Sequence, residues 1–396
     1  MKRRNTLHPE PEERKLRLRD RMVILSRRDR MGKAKPSWIR VLAAVVVLAC
    51  VLLLLNGARR DKILNREVPA EALVDGTLRL SFAGDLNLSG NVDQFGKEFG
   101  YSRLFSGVAP LWKDSAFVFS CLDGVILPKD TEAFPAMDTE ETPCPVLEEA
   151  VIAAAEAGVN AYSLANDHCL DYGSAGIAQT VQAMNRNGLN FAGVGENLPA
   201  AGDFRVLERD GFRIGFLSCS AINPNGAGPI DDYCLTTSAY SALYRNVLYA
   251  SFETDFVVVY VCWGEQDGIA VSDAQRRIAH QLIQSGADLV IGTHPHVLQP
   301  VEQFMDGWIF YSLGDLVSDR DQRGERESAL LRLDLDQEAR EGSFTLIPLL
   351  LEDFCPAAAD NSFYVSQIHR SLLRELPEES YSVDETGRIT IPMKIS

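Results

Sequence analysis

Six residues able to do chemistry fall just after short apolar runs of the chain. Asp85 follows Leu78–Ala83 and Asp123 follows Phe117–Leu122. Asn166 and His168 follow Asn160–Ala165, and His294 and His296 follow Leu289–Ile291 within Gly-Thr-His-Pro-His. Carboxylate, carboxamide and imidazole are ligand types for one or two divalent transition ions. Such an ion polarises a phosphoryl or carbonyl oxygen and acidifies bound water, giving a nucleophile near neutral pH. Singly, each residue is ordinary: His-Pro-His can be a turn, and a lone histidine is often a satisfied core or surface group. Their shared place at strand ends points to a metal-type site. His280 lies on a helix face with Arg276 and Gln284, opposite Ile278 and Leu282, and is expected to be solvated. His369, inside Ser362–Leu376, is read the same way.

These residues can meet only if the runs before them are strands of an open α/β arrangement, whose sites lie at the carboxyl ends of strands. The pattern supports such an arrangement. Pro145–Ala157 is predicted to be a helix, with proline near its start, apolar Leu147, Ala150, Val151 and Ala154, and Gly158 as its stop. A second helix is expected over Ala175–Asn187, closed by Gly188. Ser272-Asp-Ala-Gln275 has a capping-box signature for a third, ending at Gly286. Phe212–Cys219, Phe256–Cys262, Ile309–Leu313, Ala329–Leu335 and Phe344–Leu351 read as further strands. Alternating β and α segments indicate a layered α/β fold. Pro128–Pro145, rich in Asp, Glu, Thr and Pro, reads as a long loop.

Charge is unevenly divided. Residues 1–40 hold 14 Lys+Arg and 5 Asp+Glu, a net +9, whereas the other 356 hold 25 basic and 50 acidic groups, a net −25. A body that acidic is unsuited to phosphate-backbone binding, so no nucleic-acid partner is expected. Between the halves, Val41–Leu55 is a run of fifteen apolar residues, and Trp38 and Ile39 extend it with only Arg40 inside. The extended run is within the roughly 17–25 residues that cross a bilayer. Seven Lys or Arg precede it in Arg21–Arg40 against four in Gly57–Gly76, which predicts a cytoplasmic N-terminus and an extracellular body. A cleaved signal peptide, or lipid attachment at Cys50, are the alternatives to a single-pass anchor. The expected organisation is a basic arm (1–37), a membrane helix (38–56), a stalk (57–76), one domain (77–352) and a C-terminal extension (353–396) packed on it. Seven of eight cysteines lie beyond the span with no CxxC pair, so buried free thiols are the default.

Several motifs occur in a set order: Phe-Ala-Gly-Asp85, Leu-Ala-Asn166-Asp-His168-Cys-Leu-Asp171-Tyr-Gly173, Gly193-Val-Gly195-Glu-Asn197, Gly292-Thr-His294-Pro-His296 and Tyr311-Ser-Leu-Gly314-Asp315. In this the chain resembles the CapA family of capsule and poly-γ-glutamate synthesis proteins, within the calcineurin-like metallophosphoesterases. The similarity runs from about Leu78 to about Leu351. It implies a four-layer α-β-β-α sandwich, a membrane-tethered extracellular domain, and a part in making, exporting or attaching an anionic envelope polymer. Asp85 matches the family's first aspartate, Asn166 and His168 its Asn-Asn-His segment, with Asp167 at the middle position, and His294 and His296 its His-Pro-His.

Two positions depart from the family. Cys121-Leu122-Asp123 stands where Asn-Leu-Glu is usual, and Cys262-Trp263-Gly264 where His-Trp-Gly is usual, with Gln266 in place of a common Glu. Cys262 is either a thiolate ligand favouring zinc or another thiophilic ion, or a buried thiol that no longer binds metal. The resemblance thus implies Asp85, Asp123, Asn166, Cys262, His294 and His296 as ligands of a divalent ion (Mn, Zn or Fe). His168 would act as general acid, with Asn166 and Asp171 in the same loop. Two functions follow: a metal-dependent hydrolase, or a catalytically degenerate accessory subunit of a membrane synthesis or export complex. An acidic body also repels an anionic polymer, and Arg320, Arg323 and Arg326 are candidates to offset this, although interleaved acids suggest a salt-bridged loop instead.

Overall fold

The computed structural model of the chain describes residues 45–48, 76–129, 134, 136, 142–222, 234, 240–320, 324–338 and 340–394. The chain divides into two units, Met1–Lys62 and Ile63–Ser396. In the first, residues 45–48 are helical. The rest of the expected span 38–56, the basic arm and nearly all of the stalk lie outside the described residues, as does most of the 128–145 loop. Among the described residues no helix is long and apolar enough to cross a membrane.

The second unit is a mixed α/β body rich in sheet. Its first part runs β1 (Thr77–Leu86), α1 (Gly90–Phe99), β2 (Phe117–Leu122), β3 (Val125–Leu127), β4 (Pro145–Leu147), α2 (Glu148–Glu156), β5 (Ala161–Ser163), α3 (Gly173–Arg186) and β6 (Asn190–Ala192). The middle runs α4 (Leu198–Gly202), β7 (Arg205–Arg209), β8 (Phe212–Ser220), α5 (Tyr240–Glu253), β9 (Phe256–Cys262), α6 (Asp273–Gln284), β10 (Leu289–Thr293), β11 (Leu298–Phe304), β12 (Gly307–Leu313) and β13 (Asp315–Val317). The end runs β14 (Glu327–Asp336), β15 (Glu341–Glu352), β16 (Cys355–Ala358), α7 (Ser362–Leu373), β17 (Ser382–Val383) and β18 (Ile389–Lys394).

One sheet has the order β17-β18-β15-β14-β1-β2-β5-β6, with β13 on β1 and β16 on β15, and a second has the order β11-β12-β10-β9-β8-β7. Within them β1, β2, β5 and β6 are mutually parallel, as are β8, β9, β10 and β12. The parallel strands therefore deliver several carboxyl ends to each sheet's edge. Residues 355–394 continue the first sheet through β16 and β18, which both pair with β15.

The period of two along each strand feeds separate cores. Phe256, Val258 and Tyr260 of β9 join Phe82, Phe119, Phe216 and Phe344 in a core drawn from both sheets. Val257, Val259 and Val261 of the same strand join Leu243 and Val247 of α5 and Leu282 of α6. Burial on both sides explains why β9 reads as an unbroken apolar run. A third core joins Val118 and Leu122 of β2 to Val92, Val151 and Ile177 of α1, α2 and α3.

One predicted element is corrected. The helix expected over Pro145–Ala157 begins only at Glu148, because Pro145–Leu147 form β4, which pairs in parallel with Val125–Leu127. Val146 is fully buried there. Proline's missing N–H is tolerated at the first residue of an edge strand, so its presence did not mark a helix start. The capping box at Ser272 forms as its sequence indicated, with both reciprocal bonds to Gln275.

Candidate metal centre

Carboxyl ends of strands from both sheets converge on one buried cluster. Asp85 lies at the end of β1, Asp123 just past β2, and Asn166, Asp167 and His168 in the turn after β5. Cys262 closes β9, His294 and His296 follow β10, and Asp315 opens β13 directly after β12. The sheets are bound together at this point: the His294 backbone N–H donates to Asp85 Oδ2 at 2.9 Å. His294 and His296 both have positive φ, 86° and 59°. Non-glycine residues held there cost of order 1–3 kcal/mol each and cluster at functional sites.

Gly84 controls the approach of β13 to β1. A Cβ at that position would stand 1.7 Å from the Gly314 carbonyl oxygen, so only glycine fits. The close passage allows the Asp85 N–H to donate to that oxygen at 3.2 Å and sets Asp85 beside Asp315 in register.

The side chains gather in three groups, each with ligand-type atoms within 4.8 Å of one another: Asp85, His296 and Asp315; Asp167, Cys262 and His294; and Cys144, His168 and Asp171. In the first, His296 Nδ1 is 2.8 Å from Asp315 Oδ1 and 4.0 Å from Asp85 Oδ2. In the second, Asp167 stands 3.2 Å from His294 Nδ1 and accepts from the Cys262 thiol at 3.6 Å. In the third, His168 Nδ1 pairs with Asp171 Oδ2 at 2.9 Å, while its Nε2 faces Asp167 Oδ2 at 3.7 Å.

Burial dominates the electrostatics. It pushes the Asp85 carboxyl up to about 7, against the pull of His296 and with Asp315 and Asp123 adding to the rise. Asp123 is raised for the same reason, opposed mainly by His168. Burial disfavours a charged His296, but Asp315, Asp85 and Asp123 outweigh it and carry the imidazole up to about 10. His168 is likewise raised, burial being overcome by Asp171, Cys144, Asp123 and Asp167. Asp167 is lowered: burial opposes this, and its contacts with the His294, His168 and His296 rings prevail. The Cys121 and Cys262 thiols are pushed well up, burial first and neighbouring carboxylates second.

The structure brings together Asp85, Asp123, Asn166, His168, Asp171, Cys262, His294 and His296. Asn166 is partly committed, since its Oδ1 accepts the His168 N–H at 3.0 Å and its Nδ2 donates to the Leu122 carbonyl. Asp123 is 3% exposed and accepts from Asn87 Nδ2 at 3.4 Å. Three members of the groups were not among the expected ligands: Asp167 and Asp315, noted only as parts of motifs, and Cys144. Asp315 carried a usable signal, standing one glycine past the Ile309–Leu313 run just as Asp85 stands one glycine past Leu78–Ala83. Cys144 carried none. His280 is only partly solvated: its ring stacks on Phe304 at 3.7 Å and bonds Glu302 at 2.8 Å, both on β11. Arg320 and Arg326 face acids, Arg320 with Glu325 at 3.4 Å and Asp267 at 3.6 Å, and Arg326 with Glu352 at 4.0 Å. Arg323 lies outside the described residues. All seven cysteines among the described residues are buried.

Residues 79–320 match the family described as bacterial capsule synthesis protein PGA_cap. The chain belongs to this family. Every strand-end group from Asp85 to Asp315 in this PGA_cap protein lies inside the matched stretch. It is 25% identical over 367 residues to the capsule biosynthesis protein CapA of Bacillus anthracis, covering 91% of this chain and 87% of that one. It is 26% identical over 308 residues to the PGA biosynthesis protein CapA of Bacillus subtilis, covering 77% and 79%. A probable polyglutamine synthesis accessory protein of Mycobacterium tuberculosis is 28% identical over 179 residues, covering 42% of this chain and 47% of that one. The PGA_cap proteins fall in the calcineurin-like superfamily, which implies a divalent ion, and the residues present fit one. Asp315 Oδ2 is a buried atom without a hydrogen-bond partner, as a ligand awaiting a cation would be.

Proposed function

We propose that this PGA_cap protein is a membrane-anchored, outward-facing participant in the synthesis, export or attachment of an anionic envelope polymer, acting there as a metal-dependent hydrolase. The observation that carries the reading is the buried convergence of Asp85, Asp123, Asp167, Cys262, His294, His296 and Asp315 at strand ends of both sheets. The three separate cores favour a four-layer α-β-β-α sandwich of the metallophosphoesterase kind. The likeness to the capsule and PGA biosynthesis proteins of the two Bacillus species supports a capsule or poly-γ-glutamate polymer as the target. The apolar run Val41–Leu55 and the basic residues before it support the anchor and outward topology.

Asp85, His296 and Asp315 would hold a divalent ion of the Mn, Zn or Fe class, with Asp123 and Asn166 beside it, and Asp167, Cys262 and His294 would hold a second. When bound, such ions polarise the scissile phosphoryl or carbonyl oxygen and acidify water. The chain's own residues supply the rest. Asp171 accepts from His168 Nδ1, which fixes the ring and leaves Nε2 free to give a proton to a leaving group. The raised His168 keeps that proton at neutral pH. The left-handed His294 and His296 turn their backbone so that the His294 N–H holds Asp85 in place.

The test is elemental analysis of purified protein together with hydrolysis of phosphoesters and of γ-linked polyglutamate. Stoichiometric transition metal, and a loss of hydrolysis in His168→Ala, are expected. Metal-free protein, with His168→Ala leaving all hydrolysis unchanged, would remove the reading. A second reading, an accessory subunit of a membrane synthesis complex, is favoured by the complete burial and raised pKa of the Cys262 thiol. Polymer production in cells carrying Asp85→Ala at normal protein level separates the two: it stops under the first and persists under the second.

A further inference from the structure

We infer that Cys144, His168 and Asp171 form a separate cation site, of the thiolate–imidazole–carboxylate kind that takes zinc. Their ligand-type atoms lie within 4.8 Å of one another. Around one zinc, bonds of about 2.0–2.3 Å at tetrahedral angles put ligand atoms roughly 3.3–3.7 Å apart, a closure that side-chain rotation can supply. Asp171 is 1% exposed and already organises the group: its Oδ2 accepts from His168 Nδ1 at 2.9 Å and from the Cys144 N–H at 2.7 Å. Its other oxygen, Oδ1, is buried with no hydrogen-bond partner. A buried carboxylate oxygen left bare beside a thiol and an imidazole leaves an acceptor position open to a cation.

The site is distinct from the strand-end centre because the two sides of the His168 ring face different groups. Nε2 looks toward Asp167 and Nδ1 toward Asp171. A divalent ion taken up here would replace the proton shared between Nδ1 and Asp171 and would drive the Cys144 thiol to thiolate. The same three residue types also make a nucleophile, a base and an orienting acid. The surroundings disfavour that use: Cys144 is 9% exposed, and burial raises its thiol, whereas reactive cysteines are exposed and lowered. The inference shares His168 with the proposed function, and the two uses alternate: an ion on Nδ1 makes the ring a neutral ligand and withdraws the proton that the general-acid role needs.

The experiment uses the full chain with Cys262→Ala, so that Cys144 is the only thiol in the candidate groups. Cobalt(II) is titrated while the near-ultraviolet thiolate-to-cobalt band is followed, and alkylation of Cys144 is mapped by mass spectrometry with and without zinc. The expected result is a cobalt–thiolate band and zinc protection of Cys144. The band should vanish in Cys262→Ala/Cys144→Ser, and cobalt affinity should fall by about tenfold or more in Cys262→Ala/Asp171→Asn, with zinc protection of Cys144 weakened alike. Melting curves matching the parent's establish that these variants fold, and Cys144→Ala serves if the serine form does not. Cobalt bound with no band and no protection would overturn this site while leaving the strand-end centre intact. No cobalt bound even by the unaltered chain would remove both. An acyl adduct on Cys144 from an activated ester, unaffected by zinc, would mark a nucleophile and also overturn the inference.

Discussion

Gly84→Ala tests how tightly the metal centre depends on backbone proximity. The added methyl would lie 1.7 Å from the Gly314 carbonyl oxygen and 2.9 Å from its carbon, where ordinary contact begins near 3.4 Å. The obstacle is backbone on both sides, so β1 and β13 must separate by well over an ångström. Doing so breaks the Asp85 N–H bond to Gly314, about 1 kcal/mol net. Overpacking adds about 1–3 kcal/mol. Gly84 also accepts from the buried Ser120 hydroxyl at 2.8 Å, a bond the shift would strain. A total near 3 kcal/mol is expected. Because Asp85 and Asp315 ride on the two separated strands, metal affinity should fall with stability. The assay is urea unfolding of residues 63–396 with parallel metal counting. Gly211→Ala is the control: its φ is +83° but its Cβ meets nothing within 4 Å, so strain of about 1 kcal/mol is its whole effect, with full metal content. Gly84→Ala within about 0.5 kcal/mol of the parent (about half of one Gly211-sized effect), with unchanged metal, would refute the reasoning.

Three further outcomes are expected. Asp171→Asn removes the acceptor that orients His168, and hydrolytic turnover should fall about 10²–10⁴-fold with substrate binding little changed, read from kcat and KM separately. Phe119→Ala should cost about 3–5 kcal/mol in denaturant unfolding, since its ring stacks on Phe82 at 4.8 Å and meets Phe216 edge-on at 5.1 Å between the two sheets. His296, raised from 6.5 to about 10, stabilises the fold fully below pH 6.5, and this contribution is lost as pH rises through 10. Asp85, raised to about 7, has lost its own contribution by then. Thermal melting of metal-free protein should therefore drop between about pH 8 and 10, and His296→Gln should flatten the drop.

Much of this was legible because parallel strands buried on both sides write themselves as continuous apolar runs. Phe117–Leu122 and Phe256–Cys262 match their observed bounds. Polar residues just past such runs could then be placed at one edge. What stayed hidden depended on partners distant in the chain. Pro145–Leu147 became a strand because Val125–Leu127 offered a parallel edge, which helix-like spacing could not reveal. The strand over Leu298–Phe304 begins straight after a turn and carries Gln299, Pro300 and Glu302, so it lacked an apolar signature, and with it the partner of His280 went unseen. Cys144 reached the site through Asp171, twenty-seven residues later, a pairing that no local pattern encodes.

The bond from the His294 N–H to Asp85 spans 209 residues of chain. Asp85 is made early and Asp315 late, so a growing polypeptide carries only fragments of the centre for most of its synthesis. Contacts so far apart form after the sheets that bear them. A chain truncated before Asp315, or stalled with its second sheet undocked, would have the motifs but no competent cluster. Ion capture at these groups would then report completed folding, since it could not begin until the last strand-end group arrived.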